Sequence, residues 1–493
     1  MSHTEPDKGL PMTSKWEPAR LQREIAELQE LESEPMFSRV GGYMRRTGPG
    51  LLQSAMTLGA GSAVASVVAG ASFGYDLLWV QPVAMFLGVF MLAALGNVVL
   101  TTGERPYGSF SRELHKSIAF LWALGTVVAS VIWHFPQYGL AAGAAWDLAD
   151  VCGVPQSSQV AEYAVKFGLG AAILCVGIFT TWNYGSNAKG IKAYEWFLRG
   201  MIALVIIAFG VVVVVRAVGG HIDWAAMAKG FFAFRIPEGS TIVVLGAIGA
   251  AVGINMTFLY PYSLLAKGWG KHHKTLSRWD LGMSMFLPFV IVTSLVIVAM
   301  ASTIYDDSAG QVLRKDLKPV DAAQALAGVM GSTLSRIIFN LGLIGMTCAA
   351  ISTHMVVCGF TVCEMFGLEY TTRRYRLCTL VPVVGVLGVV TTTPLWLPVT
   401  ASAICLTMLP IAYIAFFIMN NKRSYIGAAV GSGWRRAAFN LILLVAIALA
   451  TIGSAVRIKS GVIDNLPKLF PREQPNGAYF NDAGEKSRPS SIG

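Results

Sequence analysis

Apolar runs of roughly span length alternate with short polar stretches from about residue 48 to 457. A membrane-crossing helix needs ~20 mainly apolar residues, and eleven such runs can be read. They cover 48–70, 76–100, 118–146, 161–181, 194–216, 240–265, 281–304, 332–362, 376–392, 395–420 and 437–457. The eighth runs long, and a tight turn around Thr393 and Pro394 joins the ninth to the tenth. Before the first run, Leu21, Ile25, Leu28 and Leu31 recur at helical spacing. That predicts a short amphipathic helix in a polar 1–47 segment, resting on the membrane or on the protein's own loops. After the last run, a Pro-rich polar tail fills 459–493 and predicts little order.

Composition sharpens this picture. The 493 residues are 54% hydrophobic and 13% charged, with a mean hydropathy of +0.57. A soluble chain carries about 25% charged residues, so this one cannot cover a water-facing surface. The expected class is an all-α integral membrane protein whose main partner is the lipid bilayer. The net charge of +10 is spread over several loops, which argues against nucleic acid and for the positive-inside rule. If the N-terminus is inside, cytosolic loops and span ends hold seventeen Lys and Arg, from Arg105 to Arg436. The opposite side holds seven, from Lys166 to Lys318. The N-terminus is therefore expected in the cytoplasm and the C-terminus outside, in a bacterial-type inner membrane. The 1–47 segment does not read as a secretory signal. The seven cysteines fall mostly in apolar runs with no Cys-x-x-Cys pair, and read as small buried hydrophobes.

Two runs are too rich in glycine for ordinary lipid-facing helices. The first contains Gly59-Ala60-Gly61-Ser62. The sixth contains Gly246, Gly249 and Gly253, then Ile254-Asn255-Met256 and Pro261. Glycine eases departure from helical geometry and proline removes a donor. Unwound backbone survives at membrane depth only where it lines a protein cavity. Breaks five helices apart point to an inverted-repeat carrier with its site between them; close helix packing through the same glycines is the other reading.

The residues that carry a family likeness lie in the first span. Gly48-Pro49-Gly50-Leu51-Leu52-Gln53-Ser54, then Gly59 to Ser62, then Gly70 to Val80, run without a gap. This stretch resembles the NRAMP divalent-metal transporters. Weaker echoes are Gly249-Ala250, Ser352-Thr353 and Leu409-Pro410. The resemblance covers roughly 45–458 and implies a LeuT-type 5+5 inverted repeat of eleven or twelve helices with helices 1 and 6 broken. Repeat one would span about 48–216, repeat two about 240–420, and an extra helix 437–457. The family's Asp-Pro-Gly-Asn motif falls on Gly59, Ala60, Gly61 and Ser62, and its Met-Pro-His motif on Gly253, Ile254 and Asn255. Its proton-path acids fall near His134 and Gln137, and a tenth-span amide near Ser402. No carboxylate or thioether remains at those metal-binding positions.

Three functional readings follow. A divalent cation at the midplane needs charge compensation, so neutral oxygens would hold at most a partly hydrated hard ion such as Mg²⁺, with little proton coupling. Alternatively, the Gly-Ala-Gly-Ser break is a nest of free N–H groups for the carboxylate of an amino-acid-like solute. The third reading is a non-transporting sensor or scaffold on the same fold. Substrate contacts are expected from Gly59, Ala60, Gly61, Ser62, Gly253, Ile254, Asn255 and Met256. His134, Gln137, Thr257, Tyr260, His354 and Ser402 are pathway candidates. The His272-His273 pair reads as solvated loop rather than metal site. No phosphate loop, nucleophile elbow or zinc-protease helix occurs, so no enzymatic activity, cofactor or ATP-driven pump is expected.

Overall fold

The structure is a computed structural model that describes residues 18–183, 188–306, 311–314, 317, 321–323, 327–328, 331–370, 373–390 and 395–461. The expected Thr393–Pro394 turn and most of the expected C-terminal tail lie outside these residues. Among them the chain is helical, without strands.

The amphipathic helix forms as α1 (Pro18–Ser33). It lies on the protein itself: Glu27 pairs with Arg46, Thr275 Oγ1 donates to Glu32 at 3.4 Å, and Leu28 is buried. The first span is two helices, α2 (Pro49–Thr57) and α3 (Ala60–Phe73), meeting at 44°. Long single helices follow: α4 (Val80–Thr102), α5 (Lys116–Val151), α6 (Gln159–Asn183) and α7 (Ala188–Val218). The sixth span is α8 (Thr241–Ala251) and α9 (Ile254–Ala266). The seventh is a helical run over Lys271–Thr303 with a π turn at Leu281–Phe286, ending in α10 (Leu287–Thr303). The eighth is α11 (Ser332–Phe366). The tenth is α12 (Trp396–Leu406) and α13 (Leu409–Asn421), and the last is α14 (Gly433–Gly461).

Seven runs among the described residues are long and apolar enough to cross a membrane, or nine when the bent first and tenth spans are each taken as one. Two of the eleven expected spans fall outside that count. The fifth lies within α7, one helix of 31 residues, whose apolar stretch among the described residues is Ile202–Val218. The ninth is a 3₁₀ helix over Val381–Val390. In a 3₁₀ helix residues three apart share one face. Here that face carries Gly385 and Gly388, and a Cβ on either would meet α5 backbone, at 2.9 Å from His134 C and 2.1 Å from Phe135 O. The tenth span breaks too, bending by 46° before Pro410. The glycine count gave no sign of it; the proline removes a backbone donor just past the bend.

Two contacts position the first span. Gly48 N and Gly50 N donate to the buried Asp280 carboxylate at 3.1 and 2.6 Å, so an acid from the seventh span closes the N-terminus of α2. Behind the sixth span, Gly246 and Gly249 lie on α12. A Cβ at Gly249 would stand 2.5 Å from Ser402 O, and Ser402 Oγ donates to Gly246 O at 2.6 Å.

At one end of the bundle, Glu104 accepts from Arg112, from Tyr425 OH at 2.8 Å across the molecule, directly, and from Ser109 Oγ at 3.0 Å. Burial pushes its carboxyl up, but these donors outweigh it and hold the pKa at about 2.

Two outcomes follow. Gly249→Val overpacks the α8–α12 contact and is expected to cost about 1–3 kcal/mol, read as a lower melting temperature in detergent. Gly143→Val, where a Cβ meets nothing within 4 Å, is the control. Because the folded pKa of Glu104 is depressed, its stabilisation is complete above about pH 4.5 and drains away as pH falls toward 2. Melting curves from pH 6 to 3 should show a smaller loss in Glu104→Gln than in the wild type.

Candidate substrate site

The two breaks face each other and are tied by one side chain. α2 ends at Thr57, Leu58 leaves helical geometry, and Gly59 is extended in ψ before α3 begins at Ala60. In the sixth span Val252 is extended (φ −141°, ψ 97°) and Gly253 follows at ψ 163°. Unwinding there frees carbonyls at the end of α8. Thr57 Oγ1 donates to Ala250 O at 2.7 Å and lies 3.1 Å from Ala251 O. Ser62 Oγ stands 3.4 Å from the same hydroxyl. Gln53, in the amide orientation that suits both neighbours, donates to Met256 O at 3.2 Å and accepts from Tyr260 N at 3.1 Å. The first span is thus bonded to both halves of the sixth.

Between the breaks lies a cavity with about 20 Å³ of room for water centres, enough for one or two waters. Its wall is Met56, Thr57, Gly61, Trp133, Gln137, Gly249, Ala250, Gly253, Asn255, Met256 and His354. None of these is an acid, a lysine or an arginine. Among the described residues no three His, Cys, Asp or Glu gather into a metal-binding group. Gln137 Oε1 and His354 Nδ1 are buried without a hydrogen-bond partner. A buried acceptor left this way fits a water or cation.

Of the expected contact residues, Gly61, Gly253, Asn255 and Met256 reach the cavity. Gly61 is covered by an indole: a Cβ there would sit 2.8 Å from Trp133 Cη2. Asn255 Oδ1 accepts from Met256 N at 3.0 Å, and Met256 Sδ accepts from Gly253 N at 3.3 Å. Gly59, Ser62 and Ile254 lie in the breaks but not on the described cavity wall, and the Ala60 side chain lies outside the description. Of the pathway residues, Gln137 and His354 line it. The rings of His134 and His354 are 5.5 Å apart, and His134 Nδ1 pairs with Ser130 O at 2.9 Å. Thr257 accepts from Trp122 Nε1 at 2.9 Å, Tyr260 OH pairs with Ser277 Oγ at 2.7 Å, and Ser402 sits behind α8.

The sequence reading missed Met56, Thr57, Trp133, Gly249 and Ala250 as wall residues. Two thioethers, Met56 and Met256, line the cavity beside the aligned positions, which themselves hold none. The signal for Thr57 was a hydroxyl two residues before Gly59, at the last helical position.

Known proteins agree with this architecture. The family model described as natural resistance-associated macrophage protein-like matches residues 50–455. A curated relative from Deinococcus radiodurans, named divalent metal cation transporter MntH, is 24% identical over 399 residues, spanning 78% of this chain and 83% of that one. The solved manganese transporter of Eremococcus coleocola, in complex with an aromatic bis-isothiourea compound, superposes with a TM-score of 0.64 at 14% identity, covering 94% and 92%. The transporter MhsT in complex with L-phenylalanine gives 0.56 at 16% identity, covering 82% and 98%. The fold is of the LeuT type.

Thr57→Val removes the hydroxyl that donates to the buried Ala250 carbonyl at the end of α8. The expected cost is about 1–3 kcal/mol, with a parallel loss of transport. Thr57→Ser keeps the hydroxyl and should restore most of both. Equal melting temperatures for all three proteins would remove the tie from the account.

Proposed function

Because the chain belongs to the natural resistance-associated macrophage protein-like family, we propose that this multi-pass membrane protein is a secondary carrier of divalent cations whose ion keeps part of its water. The observation that carries this reading is the neutral, oxygen-bearing wall. Thr57, Gln137, Asn255 and Ala250 surround space for one or two waters, and Gln137 Oε1 has no protein partner. Stripping a divalent ion completely against neutral groups is too costly at the midplane. A hard ion of the Mg²⁺ class, bound through retained water, fits amide and carbonyl oxygens. The sulfur of Met256 is engaged by the Gly253 N–H, which lowers the case for a soft, directly ligated metal.

Several finer points belong to the same reading. The ion lies between Gly59–Ser62 and Gly253–Met256, with Gln137 and His354 beside it. With no carboxylate among the described wall residues, proton coupling through this cavity is weak or absent. Residues 48–216 and 240–420 form the two inverted repeats, with 437–457 as an added helix. The Lys and Arg balance supports a cytoplasmic N-terminus, an outer C-terminus and an inner-membrane setting. An amino-acid-like solute has less support, since ligand pockets start at roughly 300 Å³ and the Trp133 indole covers Gly61.

Uptake into liposomes tests the proposal. Saturable Mg²⁺ uptake is expected, indifferent to a pH gradient and reduced about tenfold in Asn255→Ala. Tight Mn²⁺ uptake driven by a proton gradient would overturn the hydrated-ion reading, as would divalent transport that Asn255→Ala leaves unchanged.

A further inference from the structure

A second, larger cavity of about 560 Å³ opens away from the breaks. It lies at the end of the bundle richer in Lys and Arg, between α4, the start of the Lys271–Thr303 run and α14. Its two sides differ in chemistry. Phe90 and Ala93 of α4 and Phe439 of α14 make an apolar wall, with the Phe90 and Phe439 rings 5.5 Å apart. Arg278, Arg435 and Arg436 make a cationic rim, and none of the described lining residues is an acid.

The rim is organised. Arg436 Nε and Nη2 both reach Asn421 Oδ1, at 3.3 and 3.1 Å, and Asn440 Nδ2 donates to that same oxygen at 2.8 Å. Among the described residues, no carboxylate forms an ion pair with any of the three arginines. Three like charges around one opening repel one another, and an anion relieves that. The neighbouring Trp434 is 75% exposed, as suits an aromatic at the membrane–water boundary. An apolar wall of this kind suits the hydrocarbon layer and a cationic rim the headgroup layer.

We propose that this cavity binds an anionic phospholipid, with its phosphate on Arg278, Arg435 and Arg436 and an acyl chain on the Phe90–Ala93–Phe439 wall. Free phosphate shares the headgroup chemistry but leaves the apolar wall exposed. A zwitterionic lipid fills the wall but brings its own cation to the rim. The volume is in the range of small-molecule sites, and paired basic and apolar surfaces between membrane helices are what anionic lipids select.

The test is native mass spectrometry of the full chain in neutral detergent, titrated with phosphatidylglycerol, phosphatidylcholine or inorganic phosphate. Phosphatidylglycerol is expected to bind about tenfold or more tightly than phosphatidylcholine. Replacing all three rim residues (Arg278→Gln, Arg435→Gln, Arg436→Gln) should erase that preference, and millimolar inorganic phosphate should not displace the lipid. Arg435→Gln alone, at an exposed position, should lower it severalfold and serves if the triple variant does not fold. Equal binding of the two lipids overturns the proposal, as does a preference that survives in the folded variants. Displacement by inorganic phosphate would assign the rim to a soluble anion instead.

Discussion

The site depends on one requirement: carbonyls freed at bilayer depth must find a donor other than bulk water. The sixth span frees them where Val252 and Gly253 leave the helix. The donor is the hydroxyl of Thr57, at the last turn of the opposing half-helix. This hydroxyl lets both spans be broken at the same depth, and the cavity is the gap left between them. The Asp280 carboxylate at the other end of α2 meets the same need for donors without acceptors. A half-helix of nine residues thus takes an acceptor from the seventh span at its start and gives a donor to the sixth at its end.

Charge follows the same logic. Among the described residues the wall between the breaks holds no acid or fixed cation, while ion pairs gather toward helix ends, as at Arg336 with Asp147 and Asp150 or Lys422 with Glu113. An uncompensated charge is costly at the membrane centre and cheap near its surfaces. A carrier whose binding site is neutral when empty avoids that cost, but gives up the strong attraction a carboxylate supplies to a divalent ion. The proposed water-retaining binding of the ion would be the counterpart of that trade.

Much of the fold could be read from the chain because its signals are local. Apolar run length located the spans, and Gly59–Ser62 and Gly246–Gly253 marked the two breaks. What escaped depends on partners distant in sequence. Thr57 is an ordinary polar residue until Ala250 stands opposite it. Ser402 looked like a pathway residue from its alignment, but its hydroxyl serves the backbone of Gly246. In the ninth run, hydropathy reports that the segment is buried in lipid or protein, and is blind to whether it winds by 3.0 or 3.6 residues per turn.

That ninth segment also sets a rule for how the gene can change. Gly385 and Gly388 rest on consecutive residues of α5, and the spacing of three is what brings both to one face. Conservative replacement of the valines between and around them leaves this register alone. A one-residue insertion or deletion between the glycines would rotate one of them by about 120° and drive a branched side chain into α5 backbone. Length there is therefore under tighter constraint than identity, and descendants of this sequence can drift in composition across the segment while its reading of threes stays fixed.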